Sequence, residues 1–370
     1  MARVEVVVAQ ASDEEALLQF NRKQSSGSSI RLGLLRDPSY FASLCVEGNL
    51  NDVVFARDSL TGAIVGVGHR SERPYLYQGK KISIGYLSGL HLLPEYRNST
   101  ALYKAYRLLH DLHKKGNVPF YFTTIFSDNR HAQNMLTSQK AKLPVYQYVC
   151  DYHTLVVSPK FSLPLDSHYS LENLEETNRE EVYQFYRGIA NKQTFFPYYT
   201  PEDFLGRQGL LWGVKRSDFL ILRKRKRIVG LAILWKQSAF RRWKVFAYSG
   251  ITRYARPFYN ILQSVRNQPV LPRAGRFLDY RFLSCLCFAE QDVVTFTQLL
   301  AYSLQLVREQ EAQENLLLGI SPTSDALQNT LEKIPAWRFL SKIYAVYWSA
   351  TASNLQDFSF ANPNLEAGSL

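Results

Sequence analysis

Between Leu92 and Ala101 the chain reads Leu-Leu-Pro-Glu-Tyr-Arg-Asn-Ser-Thr-Ala. An apolar, glycine-bearing run precedes it (Ile82, Ile84, Gly85, Leu87, Gly89, Leu90). Apolar residues at helical spacing follow it: Leu102, Ala105, Tyr106, Leu109, Leu112. Strand, tight turn and helix are the implied elements, with the helix starting among small polar residues. The first N–H groups of such a helix lack partners within it, and its dipole is positive at that end. The turn is therefore suited to an anion such as a phosphate or pyrophosphate, with Arg97 beside it. His91 alternates with Leu90 and Leu92 and so faces away from them. A packed histidine and a catalytic base are both open for it.

The elements around this turn follow from pattern. Arg3–Gln10 reads as a strand, and Ser12 with three acids after it starts a helix that carries Ala16, Leu17 and Phe20. Asp37-Pro38-Ser39 opens a short helix through Leu44. Asp52–Arg57 and Ala63–Arg70 make a hairpin with a glycine turn. Phe120–Ile125 is a strand, so a helix joins two strands in the manner of a parallel crossover. Ser127-Asp128-Asn129 caps a helix over His131–Ser138, and Val145–Val157 is a long strand. Pro159–His168 reads as a linker. The order then recurs more loosely: a helix over Asn173–Ile189, a hairpin of Asp218–Leu222 and Ile228–Trp235, and a strand over Phe277–Phe288. A helix from Val293, a strand over Leu316–Ile320, a helix over Asp325–Leu331 and a strand over Phe339–Trp348 complete it. Thr252–Arg276 has no counterpart in the first half.

With 370 residues, 46% hydrophobic, the chain suits two domains with packed cores. Its formal charge of +12 favours anionic partners. Cys45, Cys150, Cys285 and Cys287 read as buried thiols, and His110, His113 and His131 lie on helices without carboxylate or cysteine partners at metal spacing, so no metal site is expected. No leader is visible at the start and no apolar run is long enough to span a bilayer. A cytoplasmic chain with no membrane partner is expected. Arg223-Lys224-Arg225-Lys226-Arg227 is the sharpest charge run. It reads as a solvated hairpin tip, with nucleic-acid phosphates as the less favoured partner. Phe195-Phe196-Pro197-Tyr198-Tyr199 reads as packing between the halves.

The strand–turn–helix resembles the GNAT acyltransferase superfamily, whose fourth strand runs into a turn written loosely as V-x-P-x-[QR]-x-x-G-x-[GA]. Here Leu92-Leu93-Pro94-Glu95-Tyr96-Arg97 matches the lead-in and the arginine, while Thr100 and Leu102 stand where the glycines fall. Asn129-x-x-Ala132 is similar to the start of the family's fourth helix. The likeness covers about residues 4–157 and, more weakly, the order of elements in 169–348. It implies a mixed α/β sheet in two tandem GNAT-like domains, the second degenerate. Their bounds are 1–158 and 169–350, with a linker at 159–168 and a C-terminal tail at 351–370. The resemblance implies acetyl-CoA or another acyl-CoA as co-substrate and an amine-bearing acceptor. Backbone N–H groups of Arg97, Asn98, Ser99, Thr100 and Ala101 would hold the pyrophosphate. Backbone groups of His91, Leu92 and Leu93 would meet the pantetheine arm, with Asn129 beside them. For Phe195–Tyr199 the resemblance implies the border of a pocket, as the alternative to packing. The family's usual acidic tyrosine falls near Leu136, leaving His91, Tyr146 and Tyr148 as the proton-transfer candidates. The alternatives are a degenerate fold kept as a binding or regulatory module, and an RNA- or tRNA-associated protein using its basic surface.

Overall fold

The computed structural model describes residues 4–27, 29–97, 99–138, 143–289, 292–309, 314–348, 355 and 357–370. The first half runs β1 (Val4–Val8), α1 (Glu14–Asn21), β2 (Ile30–Leu35), β3 (Leu50–Asp58), β4 (Ile64–Tyr77) and β5 (Lys80–Leu92). It continues through α2 (Ala101–Lys115), β6 (Tyr121–Phe126), α3 (Arg130–Leu136) and β7 (Val145–Val157). The second half opens with β8 (Tyr169–Glu172), α4 (Arg179–Ala190), β9 (Phe196–Pro197), β10 (Phe219–Lys224), β11 (Arg227–Trp235), β12 (Arg242–Tyr248) and α5 (Ile251–Val265). It closes with β13 (Tyr280–Phe288), α6 (Val293–Glu309), β14 (Asn315–Ile320), α7 (Asp325–Lys333) and β15 (Ala336–Tyr347).

Twelve strands form one sheet in the order β1-β3-β4-β5-β6-β15-β7-β14-β13-β11-β10-β8, with β9 pairing β4 at its side. Read from either edge the order is the same: one strand, a hairpin, a fourth strand, a parallel fifth, then two central strands. The central pair is exchanged. β15, last in the chain, lies between β6 and β7, and β7 lies between β15 and β14. Each half's last strand thus completes the sheet of the other, and apolar clusters cover both faces.

The observed elements depart from the sequence reading where local signals are weak. β4 runs seven residues beyond Arg70, to Tyr77. Pro74, which cannot donate to a ladder, sits between the last pairing with β3 at Glu72 and the first with β9 at Tyr75, so it interrupts nothing. Gln78 and Gly79, both at positive φ, close the tight turn into β5. β2 and β12 were not expected. They pair with each other as a separate two-stranded sheet that ties the two halves together. The helix expected from Asn173 begins at Arg179, after Asn178 caps the preceding turn through Glu175 N–H.

Candidate active site

β5 and β6 are parallel neighbours for only two register pairs, Gly85 with Tyr121 and Tyr86 with Phe122. Beyond them the strands diverge, and the Thr123 hydroxyl, donating to Leu87 O at 2.8 Å, marks the apex of the opening. On its other edge β5 bulges: Ser88 pairs with His69 and His91 with Val67, so Gly89 and Leu90 face the single residue Gly68. Gly89 has φ +62°, and a Cβ there would lie 2.6 Å from the His69 ring. Both facts require glycine. The bulge leaves Gly89 and Leu90 opposite one residue of β4, and the strand then leads to the turn before α2.

That turn is pinned by Tyr96, whose hydroxyl donates to Asp58 Oδ2 at 3.0 Å. Asp58 also accepts from Leu60 and Thr61 N–H. These bonds hold its carboxyl below the ordinary range. The N-cap of α2, Thr100, makes no side-chain capping bond. Ser99 Oγ takes the Ala101 N–H at 3.2 Å, while Arg97 and Ser99 N–H reach Pro94 O and Tyr96 O at 3.3 and 3.0 Å. Arg97 is exposed and makes no ion pair with the described residues. Asn98 lies outside the described residues. Leu93 spends its N–H on Val65 O and its carbonyl on Tyr96 N–H. Asn129 caps α3, its Oδ1 accepting from Ala132 N–H at 3.1 Å.

His91 stands half-buried just past the bulge, edge-on to Phe20. Burial first, then the Arg97 charge, holds its pKa below the ordinary value. Tyr146 and Tyr148 do not join it. They lie on β7, beyond β6 and β15 and about 14 Å from β5 by strand spacing. Tyr146 is hydrogen-bonded to the Tyr106 hydroxyl of α2. Tyr148 is exposed, donates to Asp151 at 3.0 Å, and has its pKa raised to about 12 by burial and by Asp151.

A polar cluster that sequence reasoning missed lies under the bulge. His69 Nε2 meets the Tyr40 hydroxyl at 2.6 Å, and Nδ1 meets Ser88 Oγ at 3.4 Å. Ser88 also donates to Glu47 Oε2 at 3.1 Å. Glu47 pairs with Arg36 of the first half at 2.6 Å and with Arg241 of the second at 3.3 Å. Burial pushes His69 down to about 3, with Arg36 adding to the effect, so it is neutral at pH 7. Burial alone would raise Glu47, but Arg36 with His69 and Arg241 holds it low. The only sequence signal was lone polar residues inside apolar stretches, Glu47 after Leu44-Cys-Val and His69 within β4.

The second half repeats the same opening. β13 and β14 pair only through Phe282 and Leu317, then diverge. β13 bulges where Cys285 and Leu286 face Ala232, and Cys285 has φ +51°. Leu87-Ser-Gly-Leu-His91 is matched in place by Leu283-Ser-Cys-Leu-Cys287. Here the chain fills its own cleft. Cys285 N–H donates to Glu366 Oε1 at 2.6 Å, and the other Glu366 oxygen accepts from the Tyr199 hydroxyl. The turn Ala367–Ser369 packs against both β13 and β14. The N-terminus of α6 is capped by Asp292, which accepts from Thr295 N–H at 2.9 Å.

Two further sequence features take their places in the fold. Arg225 and Lys226 form the tip of the β10–β11 hairpin, and Arg223 is paired with Glu172 and Glu181. Phe195, Phe196 and Tyr199 are fully buried between the halves, with Phe195 against Tyr77, Phe120 and Phe122. This is the packing reading. Among the described residues no group of three or more His, Cys, Asp or Glu is placed to hold a metal ion. Among the described residues no helix is long and apolar enough to cross a membrane.

No family model matches this sequence and no curated protein matches it. Solved structures match its shape. A GCN5-related glucosamine N-acetyltransferase region of a fungal multi-domain β-N-acetylglucosaminidase superposes with TM-score 0.59 at 12% identity, covering 93% of this chain. This chain spans 38% of that one. N-myristoyltransferase of Saccharomyces cerevisiae with bound myristoyl-CoA gives TM-score 0.54 at 10% identity, covering 94% of this chain and 79% of the other. A GCN5-related N-acetyltransferase from Sphaerobacter thermophilus gives 0.51 at 10%, covering 79% of each. The chain shares the fold of these N-acetyltransferases and of the N-myristoyltransferase.

Proposed function

We propose that this chain is an acyl-CoA-dependent N-acyltransferase, most simply an acetyltransferase, acting on an amine. The first half, residues 1–158 completed by β15, holds the acyl-CoA, and the second is its scaffold. One observation carries this reading: of two matching clefts, one has its donors taken by the chain's own carboxylates and the other does not. The start of α2, which no carboxylate caps, receives the pyrophosphate, bordered by Ser99, Thr100, Ala101 and the neighbouring Asn98. The N–H groups of Ser99 and Ala101 exchange their bonds within the turn for the ligand, and Arg97 adds charge. His91 and Leu92 offer backbone groups to the pantetheine arm. Leu93 contributes shape, since its own polar groups are spent, and Asn129 borders the arm at the start of α3. Backbone N–H groups at the Gly89 bulge stabilise the charge that develops on the thioester oxygen. The amine nitrogen forms the new C–N bond as the C–S bond breaks. Of the three proton-transfer candidates, His91 is the one beside the bulge, and its lowered pKa leaves it neutral to accept the amine proton.

Calorimetric titration with acetyl-CoA and with myristoyl-CoA tests the site. Binding of either, weakened about tenfold by Arg97→Ala, is expected for one lost charge-assisted contact. No binding of both, or binding indifferent to Arg97, contradicts it. A second reading, a binding module without catalysis, is favoured by the distance of Tyr146 and Tyr148 from the cleft and by Thr100 and Leu102 in place of glycines. It predicts binding with no CoA release across an amine panel.

A further inference from the structure

Helix α5 is built inside out. Its inner side is polar: Arg256 Nε donates to Leu271 O and Pro272 O at 3.1 and 3.0 Å, Asn260 exchanges two hydrogen bonds with Leu271, and Gln263 is buried. Its outer side is a stripe of Ile251, Tyr254, Phe258, Ile261, Leu262 and Val265, exposed between 46% (Leu262) and 83% (Ile251). At 100° per residue these six side chains share one arc of the helix, flanked by Arg253 and Arg266. An unburied stripe of this kind marks an interaction surface. Residues 219–278, the sequence on either side of α5, hold fourteen Lys and Arg and no Asp or Glu. Arg223, Lys236 and Arg241 are spent on ion pairs with carboxylates elsewhere, which leaves eleven.

We infer that α5 is a membrane-interface helix that lays its apolar stripe into an anionic lipid surface, with the surrounding cations drawn to the headgroups. Three observations select this occupant. The acid-free segment is complementary to a negative surface. A second copy would bring that same cationic segment against itself, which like charge opposes. Ile251, Ile261, Leu262 and Val265 offer no π-face to a nucleic-acid base, whereas acyl chains accept them. The sequence expectation of no membrane partner rested on the lack of a spanning run, and a helix lying in the interface needs none. The inference is independent of the cleft and does not rest on the acyltransferase reading.

The test is co-sedimentation of the full chain with phosphatidylserine–phosphatidylcholine vesicles and with phosphatidylcholine vesicles alone. Preferential, salt-sensitive partition to the anionic vesicles is expected, reduced about tenfold or more by combined Tyr254→Ser, Phe258→Ser and Ile261→Ser. The pair Arg253→Glu and Arg266→Glu removes the preference for phosphatidylserine while leaving the stripe intact. Circular dichroism melting of both variants verifies that they fold. Wild-type protein that stays in solution with both vesicles overturns the proposal. So does partition unchanged by the triple substitution, or a concentration-dependent dimer, seen by sedimentation equilibrium, that the triple substitution abolishes.

Discussion

The β5–β6 cleft of the first half and the β13–β14 cleft of the second have one geometry and two chemistries. In each, the parallel ladder stops at the same step, the fourth strand bulges at a left-handed residue, and a helix starts beyond it. In the second, Glu366 takes the bulge N–H and Asp292 caps the helix. In the first, the bulge faces an opening, the N-cap Thr100 makes no side-chain bond, and an exposed arginine stands alongside. Helix starts and bulge donors demand an acceptor. Where the chain supplies carboxylates the cleft is structure. Where it does not, the cleft is, on our proposal, left for a ligand that brings its own charge.

Removing the occupant of the second cleft has the largest expected effect. Glu366→Ala strips the acceptor from Cys285 N–H and Tyr199 and leaves the buried Arg73 without its carboxylate neighbour. A loss of about 3 kcal/mol or more in urea unfolding is expected, with acyl-CoA affinity per folded molecule retained. Under the first cleft, the neutral His69 links stability to pH. Its folded pKa is depressed from 6.5 to about 3, so the unfolded chain binds the extra proton and stability falls as pH drops below about 6.5. Relative to His69→Gln, the wild type should lose up to about 1.4 kcal/mol per pH unit in that window. Parallel unfolding curves from pH 7 to pH 5 would remove His69 as the cause. Asp292→Ala, which unmakes the second helix cap, should cost about 1 kcal/mol by denaturant titration.

Much of this scaffold was legible in the sequence because its elements are long and periodic. The α2 and α6 helices, the hairpin strands and the crossover order show their apolar spacing directly, and the Pro94–Ala101 turn stood out by its small polar residues. What was not legible depends on contacts far apart in sequence. β2 and β12 are short, carry charges and find each other across about two hundred residues. The exchange of β7 and β15 leaves no local trace, since each strand reads the same whichever neighbour it takes. The cluster of His69, Ser88, Arg241 and the Tyr40–Glu47 stretch is assembled from four segments. Arg241 stands in a cationic run, Arg241-Arg242-Trp243-Lys244, and only the fold buries it. The repeat of Leu87–His91 in Leu283–Cys287 was present in the letters, but only the shared bulge makes it meaningful.

The start of α2 has no carboxylate cap and the start of α6 has Asp292, and on our proposal this difference separates ligand site from scaffold. Thr100→Asp gives the first half the carboxylate that the second half has. Acetyl-CoA titrations of the wild type, Thr100→Asp and Asp292→Ala compare the two directly. The account predicts binding to the wild type and to Asp292→Ala, and affinity reduced at least about tenfold in Thr100→Asp, whose helix should be no less stable. Binding that survives Thr100→Asp and is lost with Asp292→Ala would place the site in the other half and contradict it.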